Sequence, residues 1–477
     1  MNNNKRPVLL FGLAIIFSLI LSYIPEGIQV FTLKTKPVSF FMDIKPDSLL
    51  SMNRIPGKYS DNFASVTNVI SPSEKTRVIE ASFPGQFLFD LMNGALSSHS
   101  NNSCEIVSDI PETSVGLSGN VAQMKNFFQA LKQSKSKGVR IAHYGDSNIE
   151  GDLIDVDVRQ NLQNEFGGLG AGFLSITSQD ISFRESIRQS FSSDWKIASV
   201  VNGKDATLPV GISGFVSVPG NNSWVKYETA YKYSSTRSFK TVKLYYSDAK
   251  NSSIKYSFNN GPDQSAALVA GKGVKELVLN APGEGKSIKI TATMAGQANF
   301  YGVSLESGNG LYLDNFPWRG NTGVSFRDIM PQILTDFNKY LNYKLIILSF
   351  GGNMLSAGNV NFNWYETQMI KVINDLKQQF PQASILMVSV GDRAIKKGPK
   401  FGTDPNVPLL VESQKKIANA TGITFWNSFE AMGGMNSMVN WVNSNMASKD
   451  YGHLLQDGSK KMASYLTKAI LNEYRKY

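Results

Sequence analysis

A chain of 477 residues is long enough for two or three domains and a large core, and its 42% hydrophobic and 11% aromatic content excludes a disordered protein. A formal net charge of +10 permits nucleic-acid binding, but the basic residues are scattered and no nucleic-acid motif accompanies them. That leaves attraction to an anionic envelope surface or polymer, or simply a lysine-rich soluble face. Cys104 is the only cysteine, which excludes an intrachain disulfide and a cysteine-based metal cluster.

Residues 1–6 are polar and end in Lys5-Arg6; an unbroken apolar run follows from Pro7 to Ile24 and stops at Pro25-Glu26. Such a run behind positive charge can cross a bilayer with the amino terminus inside. The small-x-small pattern of a cleavage site is missing around Leu21 to Pro25, so residues 1–28 are expected to be an uncleaved anchor, with a cleaved signal peptide as the alternative. Either way the remainder is exported. Residues 29–116 hold Ser, Asn and Pro clusters (SPSEK, SSHSNNS) and read as a stalk or small packing subdomain, with His99 in a solvated run.

Residues 117–181 open an α/β pattern. Helical spacing from Val121 to Lys135 leads into a short branched apolar strand at Val139–Ile141, and Gly145 breaks the run. Asp146-Ser147 then sit on a turn before a helix that runs through Phe166. A serine there stands at the carboxyl end of a central strand, where open α/β sheets bind ligands and the next helix adds N–H groups. The glycine-rich GGLGAGF run, 167–173, reads as a flexible turn, since it lacks the lysine and the strand–loop–helix order of a phosphate loop.

Between residues 182 and 304 short alternating segments (VKLYYS, IKYSF, KELVLN, IKITAT) are separated by Gly- and Pro-containing turns, which predicts an inserted antiparallel β-sandwich. Its aromatics Trp224, Tyr227, Tyr231, Tyr245 and Tyr246 are either core or platforms for sugar rings. Residues 305–477 resume strand–helix alternation. Helices are predicted over Phe326–Leu341, Trp364–Phe380, Pro408–Ala420 and Gly458–Tyr474, and strands over Lys344–Phe350, Ser384–Val390 and Ile423–Trp426. Strands alternating with helices imply parallel pairing with helices on both faces.

Four pieces carry candidate chemistry. Ser147 is the exposed hydroxyl. Asp450 and His453, three apart in a turn, allow the carboxylate to fix one imidazole nitrogen and leave the other as a base. Gly351-Gly352-Asn353 ends a strand with an amide able to meet developing negative charge, and Gly320 in a glycine-rich turn can supply a second donor through its backbone N–H. His143, inside the first strand, reads as a hydrogen-bonded core histidine.

In the order Ser, Gly, Asn, Asp-x-x-His, these pieces resemble the SGNH (GDSL-type) hydrolases: GDSN matches their first block, Gly320 the second, GGN the third, and Asp450 to His453 the fifth. The likeness runs from about Asn120 to the end and implies a three-layer flavodoxin-like domain split by a carbohydrate-binding-like sandwich. It implies Ser147 as nucleophile, His453 as base, Asp450 as its orienting group, and an oxyanion hole of Ser147, Gly320 and Asn353, with no cofactor and no metal. It is nearest to the envelope-associated branch acting on O-acetyl groups of peptidoglycan or other glycans. The expected enzyme is then an O-acetylesterase of the bacterial inner membrane, single-pass, with its catalytic domain in the periplasm. Two alternatives stay open: an O-acyltransferase partnered with a multi-pass membrane acyltransferase, and a non-catalytic anchored glycan-binding protein. AMGGMNSM, 431–438, also reads like a segment of anchored members, without assignable chemistry. Met354 stands where the third block usually has Asp, and Asn148 where leucine is common.

Overall fold

The computed structural model describes residues 29–30, 33–34, 114–201, 207–355 and 360–477. The anchor expected over 1–28, nearly all of the stalk, His99 and Cys104 lie outside the described residues. Among the described residues no helix is long and apolar enough to cross a membrane. A two-stranded ribbon, Gln29–Val30 with Leu33–Lys34, belongs to one unit (Met1–Ser100); the rest belongs to a second, Asn101–Tyr477.

In chain order the second unit contains strands β1 (Ser118–Gly119) and β2 (Val139–Gly145), then β3 (Gly172–Ser175), β4 (Ile187–Phe191), β5 (Lys196–Ser199), β6 (Phe215–Val218) and β7 (Trp224–Thr229). There follow β8 (Phe239–Phe258), β9 (Gln264–Ala267), β10 (Lys275–Gly285), β11 (Ser287–Glu306) and β12 (Leu311–Pro317). The last are β13 (Leu345–Ser349), β14 (Ser384–Val388), β15 (Ala394–Lys397), β16 (Lys400–Thr403) and β17 (Thr424–Trp426). The helices used below are α1 (Lys125–Lys132), α2 (Asp155–Phe166), α3 (Pro331–Leu341), α4 (Phe362–Gln379), α5 (Asn406–Thr421) and, from the carboxyl end, α6 (Gln456–Lys476).

β2 is buried at every position and lies between β12 and β13, parallel to both. The six-stranded sheet has the order β12-β2-β13-β14-β17-β1. Numbered along the chain, its parallel strands read 2-1-3-4-5, the flavodoxin-like order, whose switch point is the crevice between β2 and β13. Successive strand residues point to opposite faces. Ile141, Ile347 and Leu386 therefore pack under α1, α2 and α6, while Tyr144, Ile346, Leu348 and Met387 pack under α3, α4 and α5. The expected parallel three-layer domain is present, with one addition: β1 pairs antiparallel to β17 at the edge. The helix expected over Phe326–Leu341 is broken, because Met330 precedes proline and is extended (ψ 129°), and Pro331 starts α3.

The antiparallel strands form one nine-stranded sheet from Gly172 to Glu306, wider than the interval 182–304. A sandwich of two sheets was expected. Instead hydrogen bonding joins all nine strands: β8 and β11, each 20 residues long, run side by side through the sheet with register shifts in β8 between Tyr245 and Ser252, and its buried core holds Val242, Leu244, Ile254, Ile288 and Val303. The glycine-rich run does more than turn. Gly172 has φ +73°, and a Cβ there would stand 2.4 Å from an Asp314 carboxylate oxygen. The next residue, Phe173, donates its N–H to that oxygen at 2.8 Å. Of the five candidate sugar platforms, Tyr227, Tyr245 and Tyr246 are buried core, Trp224 lies partly buried under the Lys289 ammonium, and Tyr231 is 75% exposed.

The inserted sheet is continuous with the α/β core. Phe173, Tyr245 and Tyr301 pack on Phe337 of α3, and Phe173 also meets Phe316 of β12. Arg140 of β2 donates to both oxygens of Asp314 at 2.7 Å and to Ser304 of β11 at 3.0 Å, and it ion-pairs with Glu306. Burial disfavours the guanidinium charge, but the two carboxylates outweigh it and raise the Arg140 pKa further.

Candidate active site

Ser147 begins a 3₁₀ turn, Ser147–Asp152, directly past β2. Asp146 caps that turn: one carboxylate oxygen accepts from the backbone N–H and the side-chain amide of Asn148, each at 3.0 Å. Its other oxygen accepts from the Gly352 N–H at 3.2 Å, across the switch point. Burial pushes the Asp146 pKa up, and these hydrogen bonds oppose it. Asn148, the departure from the family pattern, is thus a donor to the cap.

The structure brings the three candidate catalytic residues together. Ser147 Oγ lies 2.8 Å from His453 Nε2, and His453 Nδ1 lies 2.6 Å from Asp450 Oδ2. The other Asp450 oxygen accepts from the N–H groups of Gly452 at 2.9 Å and His453 at 3.1 Å. This wrapped turn holds Tyr451 at φ +58°, a left-handed conformation uncommon for an aromatic residue. Burial works against ionisation of Asp450, but the hydrogen bonds from His453 and Gly452 win and hold its pKa down to about 2. The bond to Asp450 raises the His453 pKa above the usual imidazole range against partial burial. Both side chains are half exposed, 50% for His453 and 48% for Asp450.

Three bonds join the loops that carry the expected oxyanion donors. The Trp318 N–H donates to the Gly145 carbonyl at 2.7 Å, and the Asn353 side-chain amide donates to the Asn321 carbonyl at 2.9 Å. The Gly352–Asp146 bond is the third. Gly320 lies between Trp318 and Asn321, exposed, at φ +74°, a conformation that glycine adopts without strain. One hydrogen of the Asn353 amide is used on Asn321, and an amide carries two. Met354, in place of the family's Asp, is buried.

Several residues at the site were not singled out from sequence. Arg319, 55% exposed by side chain, donates to the buried Glu150 at 3.1 Å at the rim. Asp146 was legible only as part of the GDS tripeptide. His143 is a core histidine as expected, and its surroundings are specific: Nδ1 lies 2.5 Å from Asp155 Oδ1 and Nε2 lies 2.7 Å from Ser349 Oγ. Asp155 also accepts from the Asn315 amide at 2.6 Å. His143 and Ser349 line a cavity of about 90 Å³ walled also by Ile149, Phe350, Val388 and Trp426. Asp392 lines the same cavity, and AMGGMNSM holds it: Met438 N–H donates to it at 2.8 Å and Ser437 Oγ at 3.3 Å. Among the described residues no group of three His, Cys, Asp or Glu is placed to hold a metal ion.

No protein-family model matches the chain, and no curated protein matches it. Among solved structures it is similar to a peptidoglycan O-acetylesterase, with TM-score 0.63, 20% identity, and coverage of 76% of this chain and 99% of that one. That likeness shows a shared fold. Two weaker likenesses do not bear on the fold. A salicylyl-acyltransferase from a tetracycline biosynthetic pathway has TM-score 0.29 and 11% identity over 63% of this chain and 97% of that one. A family two carbohydrate esterase from Cellvibrio japonicus has TM-score 0.26 and 12% identity over 61% and 98%.

Proposed function

We propose that the chain is a serine esterase that removes O-acetyl groups from a cell-envelope glycan. The observation that carries this reading is the hydrogen-bonded row Ser147–His453–Asp450 at the switch point of the sheet; the shared fold supports the choice of substrate. Ser147 Oγ attacks the acetyl carbonyl while His453 Nε2 takes its proton, and Asp450 stabilises the resulting imidazolium. The tetrahedral oxyanion is held by the N–H groups of Ser147 and Gly320 and by the Asn353 amide. Collapse expels the sugar oxygen, which takes the proton back from His453. A water, deprotonated by the same imidazole, then frees acetate and restores Ser147.

Hydrolysis is preferred to acyl transfer because His453 is half exposed, so water reaches the base directly. An acyltransferase would shield its acyl-enzyme, and a multi-pass membrane partner belongs only to that second reading. Anchoring by residues 1–28 and an extracytoplasmic site complete the proposal, supported by the charged start and the apolar run of the sequence. A secretion reporter fused after residue 116 should be active outside the cytoplasm; activity confined to the cytoplasm would refute that part. For the chemistry, acetyl-ester hydrolysis should vanish in Ser147→Ala, and mass spectrometry of quenched wild type should find an acetyl mark on the Ser147 peptide. Undiminished hydrolysis in that variant would overturn the assignment.

A further inference from the structure

The run Arg393 to Phe401, RAIKKGPKF, is basic and contains no acidic residue. It folds as the two-stranded hairpin β15–β16, which pairs with neither large sheet. Lys396, Lys397, Lys400 and Phe401 are all exposed. The hairpin leans on the catalytic turn. Its Ala394 N–H donates to the Tyr451 carbonyl at 3.0 Å, and the Phe401 ring stacks on the Tyr451 ring at 3.8 Å and 5°. Tyr451 lies between Asp450 and His453, so the charged hairpin stands directly beside the base.

We propose that this hairpin and the Phe401–Tyr451 stack form an arm that holds a glycan strand whose repeating sugars carry carboxylates. The inference rests on the esterase reading above and narrows its substrate. Lys396 pairs in register with Phe401, so both stand on the hairpin face that meets Tyr451. There an apolar ring face can receive a sugar while an ammonium beside it receives the carboxylate. Lys397 and Lys400 oppose each other across the hairpin, and like charges directly opposite destabilise a ribbon. That pair stands on the face opposite Lys396 and Phe401, so a polyanion reaches it by wrapping the turn at Gly398-Pro399, and there it relieves the repulsion. Among the described residues Lys396 and Lys400 make no ion pair, and Lys397 donates only to the Thr403 carbonyl, at 2.8 Å. Position decides between a glycan and other polyanions: what touches this arm must also present an ester to Ser147.

Binding separates this inference from the catalytic one, because it needs no turnover. The full-length Ser147→Ala chain is titrated with an O-acetylated uronic-acid glycan and with the same glycan after its carboxylates are reduced to alcohols. The expected result is roughly tenfold tighter binding of the carboxylated form, lost in Ser147→Ala combined with Lys396→Gln and Lys400→Gln. The preference should also shrink between about 50 and about 300 mM NaCl. Unchanged circular dichroism and melting show that the substituted chain is folded. Equal affinity for the two glycans overturns the proposal, and so does a preference that survives the lysine substitutions, which would leave the lysines as guards of open strand edges. Lysine-dependent capture on anionic lipid vesicles without glycan binding overturns it in favour of a membrane surface. If the catalytic reading fails, the Ser147 labelling above fails while this preference persists.

Discussion

In the proposed mechanism the bond from Asp450 to His453 sets the acid limb of the pH dependence. A base must be neutral to accept the serine proton, and the carboxylate raises the His453 pKa above the ordinary value of about 6.5. The rate on a small acetyl ester should therefore climb with pH through an inflection above that value. Asp450→Asn removes the cause, so the inflection should move down while the plateau rate falls; an unmoved inflection would show that Asp450 does not govern the base. In the same proposed mechanism Asn353→Ala removes one oxyanion donor, a loss of about 2.7–4 kcal/mol in the barrier, or roughly a hundred- to a thousandfold in kcat with KM little changed. Since that amide also bonds Asn321, melting should be followed in parallel, and a rate loss no larger than the loss of folded protein would deny Asn353 its catalytic part.

At the scale of elements, the carboxyl ends of three strands are tied by one polar row: Asn315 on β12, His143 on β2 and Ser349 on β13, with Asp155 from the first turn of α2. His143→Ala leaves the buried Asp155 short of a donor and should cost about 1–3 kcal/mol, read as a lower urea midpoint with an unchanged m-value. Much of this layer was legible beforehand. β2, β13 and β14 are apolar runs and the helices have clear spacing, so the α/β alternation and the serine, histidine, aspartate and asparagine of the site all came from pattern. What escaped had no local signal. β1 is two residues long and is set by its partner Phe425. The β15–β16 hairpin is lysine-rich without apolar alternation, and it owes its place to Tyr451 and Asn436. One sheet with two 20-residue strands could not be told from two stacked sheets of short strands, because alternation fixes faces but not which strands are continuous.

For the molecule as a whole, the insertion cannot be treated as a detachable module. Residues 307–310 alone separate β11 from β12, and the buried Arg140 cluster joins β2 to both. Arg140→Ala should destabilise the entire fold by about 3–5 kcal/mol, since Asp314 and Glu306 would be left as uncompensated buried charges. The two sheets should then melt in one calorimetric transition at a lower temperature, and separate transitions would contradict a shared core. The same fold holds a second serine–imidazole–carboxylate row, Ser349–His143–Asp155, whose histidine and aspartate are 2% and 0% exposed by side chain. A single fluorophosphonate probe would thus meet two imidazole-paired hydroxyls in one polypeptide. The ratio of adduct at the two sites would calibrate, with no second protein as reference, how much reactivity comes from the surroundings of a serine rather than from its histidine.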